Sequence, residues 1–286
     1  MTIIYAYHNN SLFREIKNRQ LRLRLYYITH KLTDMKKIML FLLAGALLHS
    51  CTPQDAPNTF KDSRDGKVYK TVTISEQVWM AENLAYLPSV VGPATGSYTE
   101  PYYYVYGYNG TDRAAAKATA NYTTYGVLYN WTAAMAGSTS NSANPSGVQG
   151  ICPDGWHLPS DAEWTQMENY LADNGHNYDG TTGGDRSKIA KSLATDSGWN
   201  SSTYEGTVGN TDYPEYRHKS GFSALPGGYR EGNGTFYSVG YNGYWWSSTE
   251  DNTDDAWFRY LTYYGSAVGR NYHYKEHGFS VRCVRD

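Results

Sequence analysis

An apolar segment near the N-terminus decides which part of this 286-residue chain can form a folded domain. Apolar or small residues run without interruption from Ile38 to Leu48, directly after Lys36 and Lys37. As a helix, this segment would be about 16 Å long, roughly half of what a bilayer core requires. A short apolar segment behind positive charge is typical of a signal peptide, not of a membrane span. The chain is therefore predicted to be exported, with its folded domain after this segment.

The apolar segment ends in Leu48-His49-Ser50-Cys51, which resembles the lipobox of bacterial lipoproteins. A leucine stands three residues before the cysteine and a small residue directly before it, although His49 departs from the small or aliphatic residue usual at its place. We interpret Cys51 as the lipid attachment site, so the membrane would hold the protein at the outer membrane or cell surface. The alternatives are an ordinary secretory signal with a chance cysteine, or an N-terminal anchor helix.

This interpretation divides the chain into four parts. Residues 1–34 are an N-terminal extension before the true start at Met35, residues 35–50 are the signal peptide, residues 51–59 are a flexible tether, and residues 60–286 are one domain. The tether is polar and contains two prolines, as flexible spacers often do. The last part is long enough to bury a core of its own.

Charge and cysteine content limit the function classes of the exported part. The first 50 residues hold 8 of the 25 Lys and Arg and 2 of the 27 Asp and Glu, which leaves 17 basic and 25 acidic residues and a formal charge of −8. Such a domain has no electrostatic basis for binding nucleic acid. Once Cys51 carries the lipid, Cys152 and Cys283 remain, and an even pair in an exported chain favours one disulfide. Two free, buried thiols are the alternative.

The hydrophobic pattern predicts an α+β domain with few helices, many short strands and long loops. Asp65-Gly66 is a hairpin signal, and alternating strands are expected around residues 68–74, 77–80, 221–229, 243–248, 255–264 and 278–284. Ser160 and Glu163 have the spacing of a capping box at the start of the clearest helix, which Gly175 would end. Shorter helices are expected within residues 112–120 and 186–193. The adjacent Trp245 and Trp246 are both expected to be buried.

Eight short motifs follow one another in an order that resembles a known family. They are residues 65–69 (DGKVY), 77–84 (QVWMAENL), 125–131 (YGVLYNW), 152–159 (CPDGWHLP), 160–164 (SDAEW), 221–230 (GFSALPGGYR), 244–250 (YWWSSTE) and 278–285 (GFSVRCVR). Together they resemble the Fibrobacter succinogenes major paralogous domain, which is common in lipoproteins of Bacteroidota. The resemblance covers essentially all of residues 60–286.

Two stretches within these motifs, residues 158–164 and the ending 278–285, are more distantly similar to formylglycine-generating (sulfatase-modifying) enzymes. That similarity implies a C-type-lectin-like fold, in which the termini meet and long loops carry the binding surface. The same enzymes use a reactive cysteine pair near the C-terminus to hold copper, but residues 257–277 contain no cysteine. The resemblance therefore does not extend to their catalysis.

No other motif predicts catalysis or a cofactor. The histidines after Cys51 lack metal-ligand spacing, and no Gly-x-Ser-x-Gly nucleophile motif occurs. Glu250, Asp251, Asp254 and Asp255 offer oxygen ligands that suit Ca²⁺, but their spacing matches no calcium loop, so a solvated acidic loop is the preferred interpretation. We therefore expect no enzyme activity and no cofactor.

Residues 251–277 are the predicted ligand-binding surface. If Trp257 and Leu261 face the core, the outward-facing residues are Phe258, Tyr260, Thr262 and Tyr264. Residues 265–277 are expected to form the following loop. Tyrosines with small polar residues are the composition of antibody binding sites, and exposed aromatic rings stack on sugars. The predicted residues are Asp251, Asn252, Asp254, Asp255, Phe258, Tyr260, Thr262, Tyr264, Ser266, Asn271, Tyr272, His273 and Tyr274. An ordinary solvated strand and loop is the alternative.

The resemblance adds one expectation about this surface. In some relatives, the corresponding C-terminal stretch is diversified by retroelements that mutate adenines in Asn codons, and the residue types found here can be reached in that way. We predict a surface-anchored binding or adhesion module for a glycan or protein ligand. The alternatives are an enzyme acting on surface carbohydrate or related to the formylglycine-generating oxidases, and a structural lipoprotein of the envelope.

Overall fold

Strands outnumber helices in the part of the chain that the computed structural model describes, which is Arg19 and residues 58–286. Twelve strands and five α-helices occur there, so the predicted α+β class is confirmed. The extension, the signal peptide, Cys51 and nearly all of the tether lie outside the described residues. None of the helices within that range is long and apolar enough to cross a bilayer.

The strands are β1 (Thr59–Lys61), β2 (Val68–Ile74), β3 (Gln77–Met80), β4 (Tyr103–Tyr104), β5 (Leu128–Tyr129), β6 (Trp156–His157), β7 (Gly227–Arg230), β8 (Phe236–Val239), β9 (Asn242–Glu250), β10 (Asp255–Thr262), β11 (Gly269–Tyr274) and β12 (Val284–Arg285). The helices are α1 (Arg113–Lys117), α2 (Ala120–Tyr125), α3 (Trp131–Met135), α4 (Asp161–Asp173) and α5 (Ala190–Leu193). Two 3-10 helices are Arg186–Lys188 and Pro214–Tyr216.

The first sheet joins the beginning and the end of the domain in the order β1-β2-β3-β12-β6. The predicted hairpin is present between β1 and β2, where Gly66 takes the positive φ of 76° that a turn residue without a side chain adopts easily. Val284 of β12 pairs with both Trp79 and His157. Beside it, Cys283 is bonded to Cys152 with a Cα–Cα distance of 5.9 Å, which confirms the predicted disulfide.

The second sheet has the order β11-β10-β9-β7-β8. Its pairs are antiparallel except for β7 and β9, which run parallel where Gly228 lies opposite Gly243. Residues 269–274, which were expected to be a loop, form the edge strand β11 instead. Six residues of β11 pair with β10, so the backbone hydrogen bonds of a hairpin outweigh the weak strand signal of the sequence.

Helix α4 begins and ends as its sequence predicts. The Ser160 hydroxyl accepts from the Glu163 backbone N–H, and the Glu163 carboxylate accepts from the Ser160 N–H, which is the predicted capping box. After Asn174, Gly175 adopts a φ of 76° and the helix stops. Of the two shorter predictions, residues 112–120 contain α1 and the start of α2, while residues 186–193 contain a 3-10 turn followed by α5.

Strand β9 lies between two hydrophobic cores. Trp246 belongs to the core that includes Tyr129 and Phe279, whereas Trp245 belongs to the core that includes Trp79 and Trp164. Neighbouring residues of a strand point to opposite faces, so the two tryptophans are both buried although they are adjacent. The expectation that both are buried is confirmed, and it means that the second sheet is covered on both faces at its centre.

Candidate functional site

Four tyrosine rings form a continuous row across the second sheet, which we call the tyrosine face: Tyr237, Tyr229, Tyr244 and Tyr260. They come from β8, β7, β9 and β10, in the order in which these strands lie beside one another. Successive ring centroids are 5.9, 4.9 and 6.1 Å apart. Tyr237 is 39% exposed and the other three are half-buried. One side of each ring is therefore fixed by the protein, while part of the ring remains accessible to a ligand.

The rings are held in position from below and from the side. The Phe279 ring lies 5.2 Å from Tyr244 and 5.9 Å from Tyr229, inside the core. At the end of the row, the Tyr260 ring covers Gly269 of β11, where a Cβ would be only 2.1 Å from the ring. Only glycine leaves room for this arrangement. A face that is fixed before binding loses little side-chain entropy when a ligand binds.

Hydrogen bonds orient two of the hydroxyl groups. Tyr229 donates to Glu231 Oε2 at 2.7 Å, and the Tyr244 hydroxyl accepts from Asn242 Nδ2 at 2.8 Å. Burial, followed by the Glu231 carboxylate, raises the pKa of Tyr229, and burial raises the pKa of Tyr244. Both hydroxyls are therefore uncharged near neutral pH. The Asn242 Oδ1 atom is buried beneath this part of the face and has no hydrogen-bond partner within the described range.

Two histidines lie at the Tyr229 side of the face. The ring centroids of His273 and His277 are 3.9 Å apart, and His277 is 6.1 Å from Tyr229. Burial, the proximity of His273 and the charge of Arg230 lower the pKa of His277 to about 3, and burial lowers the pKa of His273. Both rings are thus neutral at physiological pH. His277 is only 2% exposed, and its Nδ1 atom has no hydrogen-bond partner among the residues that the structure describes.

Two residues of the predicted surface are not on a surface. Phe258 and Thr262 were expected to face outward, but they are 3% and 9% exposed, and that expectation is wrong. Strand β10 lies between β9 and β11, and both of its faces are covered. Phe258 packs against Trp246 and Phe279, while Arg259 on the other face reaches α4.

The remaining predicted residues of β10 and β11 fall on different sides of the hairpin. Tyr260 belongs to the tyrosine face, and His273 belongs to the histidine pair. Tyr272 packs on Trp257 on the other side, with ring centroids 5.3 Å apart. Tyr274 lies at the end of the hairpin, 6.0 Å from the His277 ring. The predicted residues therefore do not form one continuous surface.

Other predicted residues form hydrogen bonds with backbone groups. The side chains of Asn271 and His273 accept the N–H groups of Tyr272 and Tyr274 on the outer edge strand. In the turn before β11, the Ser266 hydroxyl donates to the Ser187 carbonyl, and Tyr264 is 53% exposed. Hydrogen bonds of this kind occupy polar groups of an edge strand that would otherwise be open.

The acidic segment between β9 and β10 is a capped turn. Asn252 Oδ1 accepts from the backbone of Asp254 and Asp255, whereas Asp251 and Asp254 are exposed. Lys275 donates to Glu250 Oε2 and to the carbonyls of residues 252 and 253. Across residues 58–286, no three His, Cys, Asp or Glu side chains are placed to hold a metal ion.

Most of the tyrosine face was not predicted from the sequence. Tyr229, Tyr237 and Tyr244 lie in three short strands that are separated by glycines. This pattern predicts the strands, but it does not predict which strands lie beside one another. They meet because β7 pairs with β9 in parallel across a connection that contains β8. His277 was considered only as a metal ligand, and its partner His273 was placed in a loop.

A cleft of about 490 Å³ lies beside the first sheet, away from the tyrosine face, and is lined by His157, Glu163 and Asp286 among others. His157 Nε2 is 2.6 Å from Glu163 Oε1, and its Nδ1 is 2.6 Å from Asp286 Oδ1. Glu163 Oε2 also accepts from the backbone of Ser146 and Ser160. Because these groups satisfy one another, the cluster joins three segments of the fold and does not present a free acid or base.

The comparisons with known proteins agree with the motif order. The family model described as the Fibrobacter succinogenes major domain matches residues 72–285, which include both sheets' central strands and the whole tyrosine face. No curated protein and no solved structure matches the chain. The finer similarity to C-type-lectin-like and formylglycine-generating domains therefore stays a prediction. The chain belongs to the Fibrobacter succinogenes major domain family.

Proposed function

We propose that this domain is a binding module that holds a glycan on its tyrosine face. The observation that carries the proposal is the row of four partly accessible rings, held by the core on one side and by Gly269 at one end. A sugar ring offers C–H groups to an aromatic face and hydroxyls to polar atoms at its edges. Glu231 and the tyrosine hydroxyls supply such atoms.

Two further observations, on the cysteines and on the His157 cluster, favour binding over catalysis. In the described residues both cysteines are consumed by the disulfide, and the polar groups around His157 are occupied by one another. We further propose that Cys51 carries a lipid, so that the domain is displayed on the outer membrane or cell surface. An adhesion or capture role at that location requires an accessible face, which the half-buried tyrosines provide.

The face can be tested by binding measurements on the full chain. An array of neutral oligosaccharides would first identify ligands, and isothermal titration would then compare Tyr237→Ala with Tyr272→Ala. Tyr237 belongs to the face, whereas Tyr272 lies on the other side of the β10–β11 hairpin and has similar exposure. Loss of a stacked ring should weaken binding about tenfold in Tyr237→Ala. Tyr272→Ala should bind like the unaltered chain.

Three other results would overturn the proposal. Loss of binding in Tyr272→Ala but not in Tyr237→Ala would move the site to the sequence-predicted surface. Absence of any glycan or protein ligand would favour the structural role in the envelope. Turnover of a polysaccharide by the full chain would favour an enzyme. Circular dichroism spectra of both variants distinguish a binding defect from a folding defect, and Tyr204→Ala, at a side chain that is 68% exposed elsewhere, is a second control.

A further inference from the structure

Two carboxylates that form no salt bridge within the described part of the chain lie beside the histidine pair, and the Arg230 guanidinium borders one of them, Glu276, at Gly96. Glu231 accepts the Tyr229 hydroxyl, and Glu276 Oε1 lies so close to Gly232 that a Cβ there would be 2.5 Å from it. Neither carboxylate forms a salt bridge with any described residue. His277 Nε2 approaches the same Gly232 position, at 3.4 Å. Glu276 and His277 therefore converge at the end of β7, next to Glu231.

The cationic side chains nearby are already engaged. Arg230 is fully buried and donates to the carbonyls of Pro93 and Glu276. Lys275 is buried and holds the acidic turn. The charge of Asp255 acts on His273 in addition to that of Glu231. The sum of these groups is negative, because the two cations Arg230 and Lys275 are set against four carboxylates, those of Glu231, Glu250, Asp255 and Glu276, and both histidines are neutral.

Aromatic rings border the same place. The rings of Tyr98 and Tyr274 are 6.1 Å apart in an edge-to-face arrangement, and Tyr274 is 6.0 Å from His277. Tyr98 is 38% and Tyr274 48% exposed, so the place is open to solvent. Burial, and then the charge of the nearby Glu276 carboxylate, raises the pKa of Tyr98 to about 12. Rings with carboxylates between them are the surroundings that an ammonium group prefers.

We infer that this place is a subsite for a protonated amine, and that the preferred ligand of the tyrosine face is a glycan with free amino sugars. We call it the amine subsite: Tyr98, Glu231, His273, Tyr274, Glu276 and His277. The inference rests on the proposed glycan-binding function, since Tyr229 connects the tyrosine face to His277. A second polar observation supports a ligand there, because the buried Nδ1 of His277 has no partner in the described part of the protein.

The chemistry ranks the possible sugars. A glucosamine residue is protonated and would place its ammonium between Glu231 and Glu276, whereas an N-acetylglucosamine residue of the same shape is neutral. A sulfated or uronic sugar would bring negative charge to a place where carboxylates already outnumber cations. The subsite therefore distinguishes sugars by the charge on one substituent, while the tyrosine rings bind the part that all of them share.

The test compares three hexamers of equal length on the full chain, made of glucosamine, N-acetylglucosamine and glucose. Titration calorimetry at about pH 6 keeps the free amines protonated. The glucosamine hexamer is expected to bind about tenfold more tightly than the other two. Glu276→Gln should remove most of that preference and leave binding of the glucose hexamer unchanged, and Glu231→Gln should also reduce the preference. Glutamine has the size of glutamate, and in Glu231→Gln it still accepts the hydrogen bond from Tyr229, so the local structure should persist.

The outcomes separate this inference from the function on which it rests. If all three hexamers bind equally and Tyr237→Ala weakens all of them, the amine subsite is refuted and the tyrosine face stands. If none binds, both are refuted. If a lysine hexapeptide binds as tightly as the glucosamine hexamer, the site recognises an amine but not a sugar, which also overturns the inference. Glu215→Gln, at an exposed carboxylate outside the subsite, is the matched control.

Discussion

At the scale of single residues, His157 contributes to stability in a way that depends on pH. Its two ring nitrogens contact the carboxylates of Glu163 and Asp286. Burial disfavours the imidazolium, but these two carboxylates outweigh that effect and raise the pKa of His157 above its ordinary value of 6.5. Protonated His157 thus links the last residues of the chain to the start of α4.

The sign of the pH effect follows from the direction of this shift. A histidine whose pKa is raised by folding stabilises the protein fully below about pH 6.5, and this contribution disappears as the pH rises through the raised value. We expect the stability difference between the unaltered chain and His157→Gln to shrink as the pH increases from about 5.5 to 8. Urea denaturation at a series of pH values measures it.

His176 is the control for this experiment. Burial, and then the charge of Lys219, lowers the pKa of His176, so its contribution to stability is lost as the pH falls. The difference for His176→Gln should therefore change in the opposite direction. A difference for His157→Gln that is constant across the range would show that folding does not raise the pKa of His157.

At the scale of secondary-structure elements, the contact between α4 and β10 depends on one buried cation. Arg259 is fully buried, and it donates to Glu168 Oε1 and to Asp161 Oδ1, both at 2.6 Å. Arg270 of the neighbouring strand also bonds to Asp161 and lies 3.5 Å above the Trp257 ring. These contacts fix the start of the helix over the sheet, and they keep one face of β10 away from solvent.

Removing that cation should weaken the fold strongly. In Arg259→Met, the buried Glu168 keeps only the charge of Arg186, so the expected loss in the free energy of unfolding is about 3–5 kcal/mol. Urea denaturation measures the change. Lys188→Met breaks an exposed pair with Asp179 of the same 2.6 Å length and should leave stability nearly unchanged. Similar losses in both variants would mean that burial of Arg259 is not what matters.

At the scale of the whole molecule, the disulfide joins two distant parts of the chain. Cys152 and Cys283 are 131 residues apart in sequence, and Cys283 precedes the strand that completes the first sheet. A cross-link over so long a loop restricts the unfolded chain considerably. The bond therefore stabilises the sheet in which the beginning and the end of the domain meet.

Loss of the disulfide should be visible in unfolding experiments. We expect the double variant Cys152→Ala/Cys283→Ala to lose about 2–5 kcal/mol of stability, because the unfolded state regains the freedom of the loop. Denaturation with and without a reductant checks the origin of the effect. The unaltered chain should be destabilised by the reductant, and the double variant should not respond to it. An equal response in both would assign the effect to something other than this bond.

Features that depend on neighbouring residues could be predicted from the sequence. The capping box of Ser160 and Glu163 and the Asp65-Gly66 hairpin are examples, since their hydrogen bonds close within a few residues. The Cys152–Cys283 bond followed from counting the cysteines after Cys51. The order of the motifs was sufficient for the family. In each case the information is local or is a matter of order along the chain.

Which face of a strand meets solvent was decided only by the tertiary structure. The alternation in residues 257–264 was read correctly as a strand, but Phe258 is buried because Phe279 and Trp246 pack against it from elsewhere in the chain. Tyr229 and Tyr244 became neighbours through the parallel pairing of β7 and β9, which no local pattern encodes. Thus the sequence by itself determined helix α4, the central strands, the disulfide and the family, but not the edge strand β11. The tyrosine face arises from long-range pairing, because burial of a side chain depends on everything that packs around it.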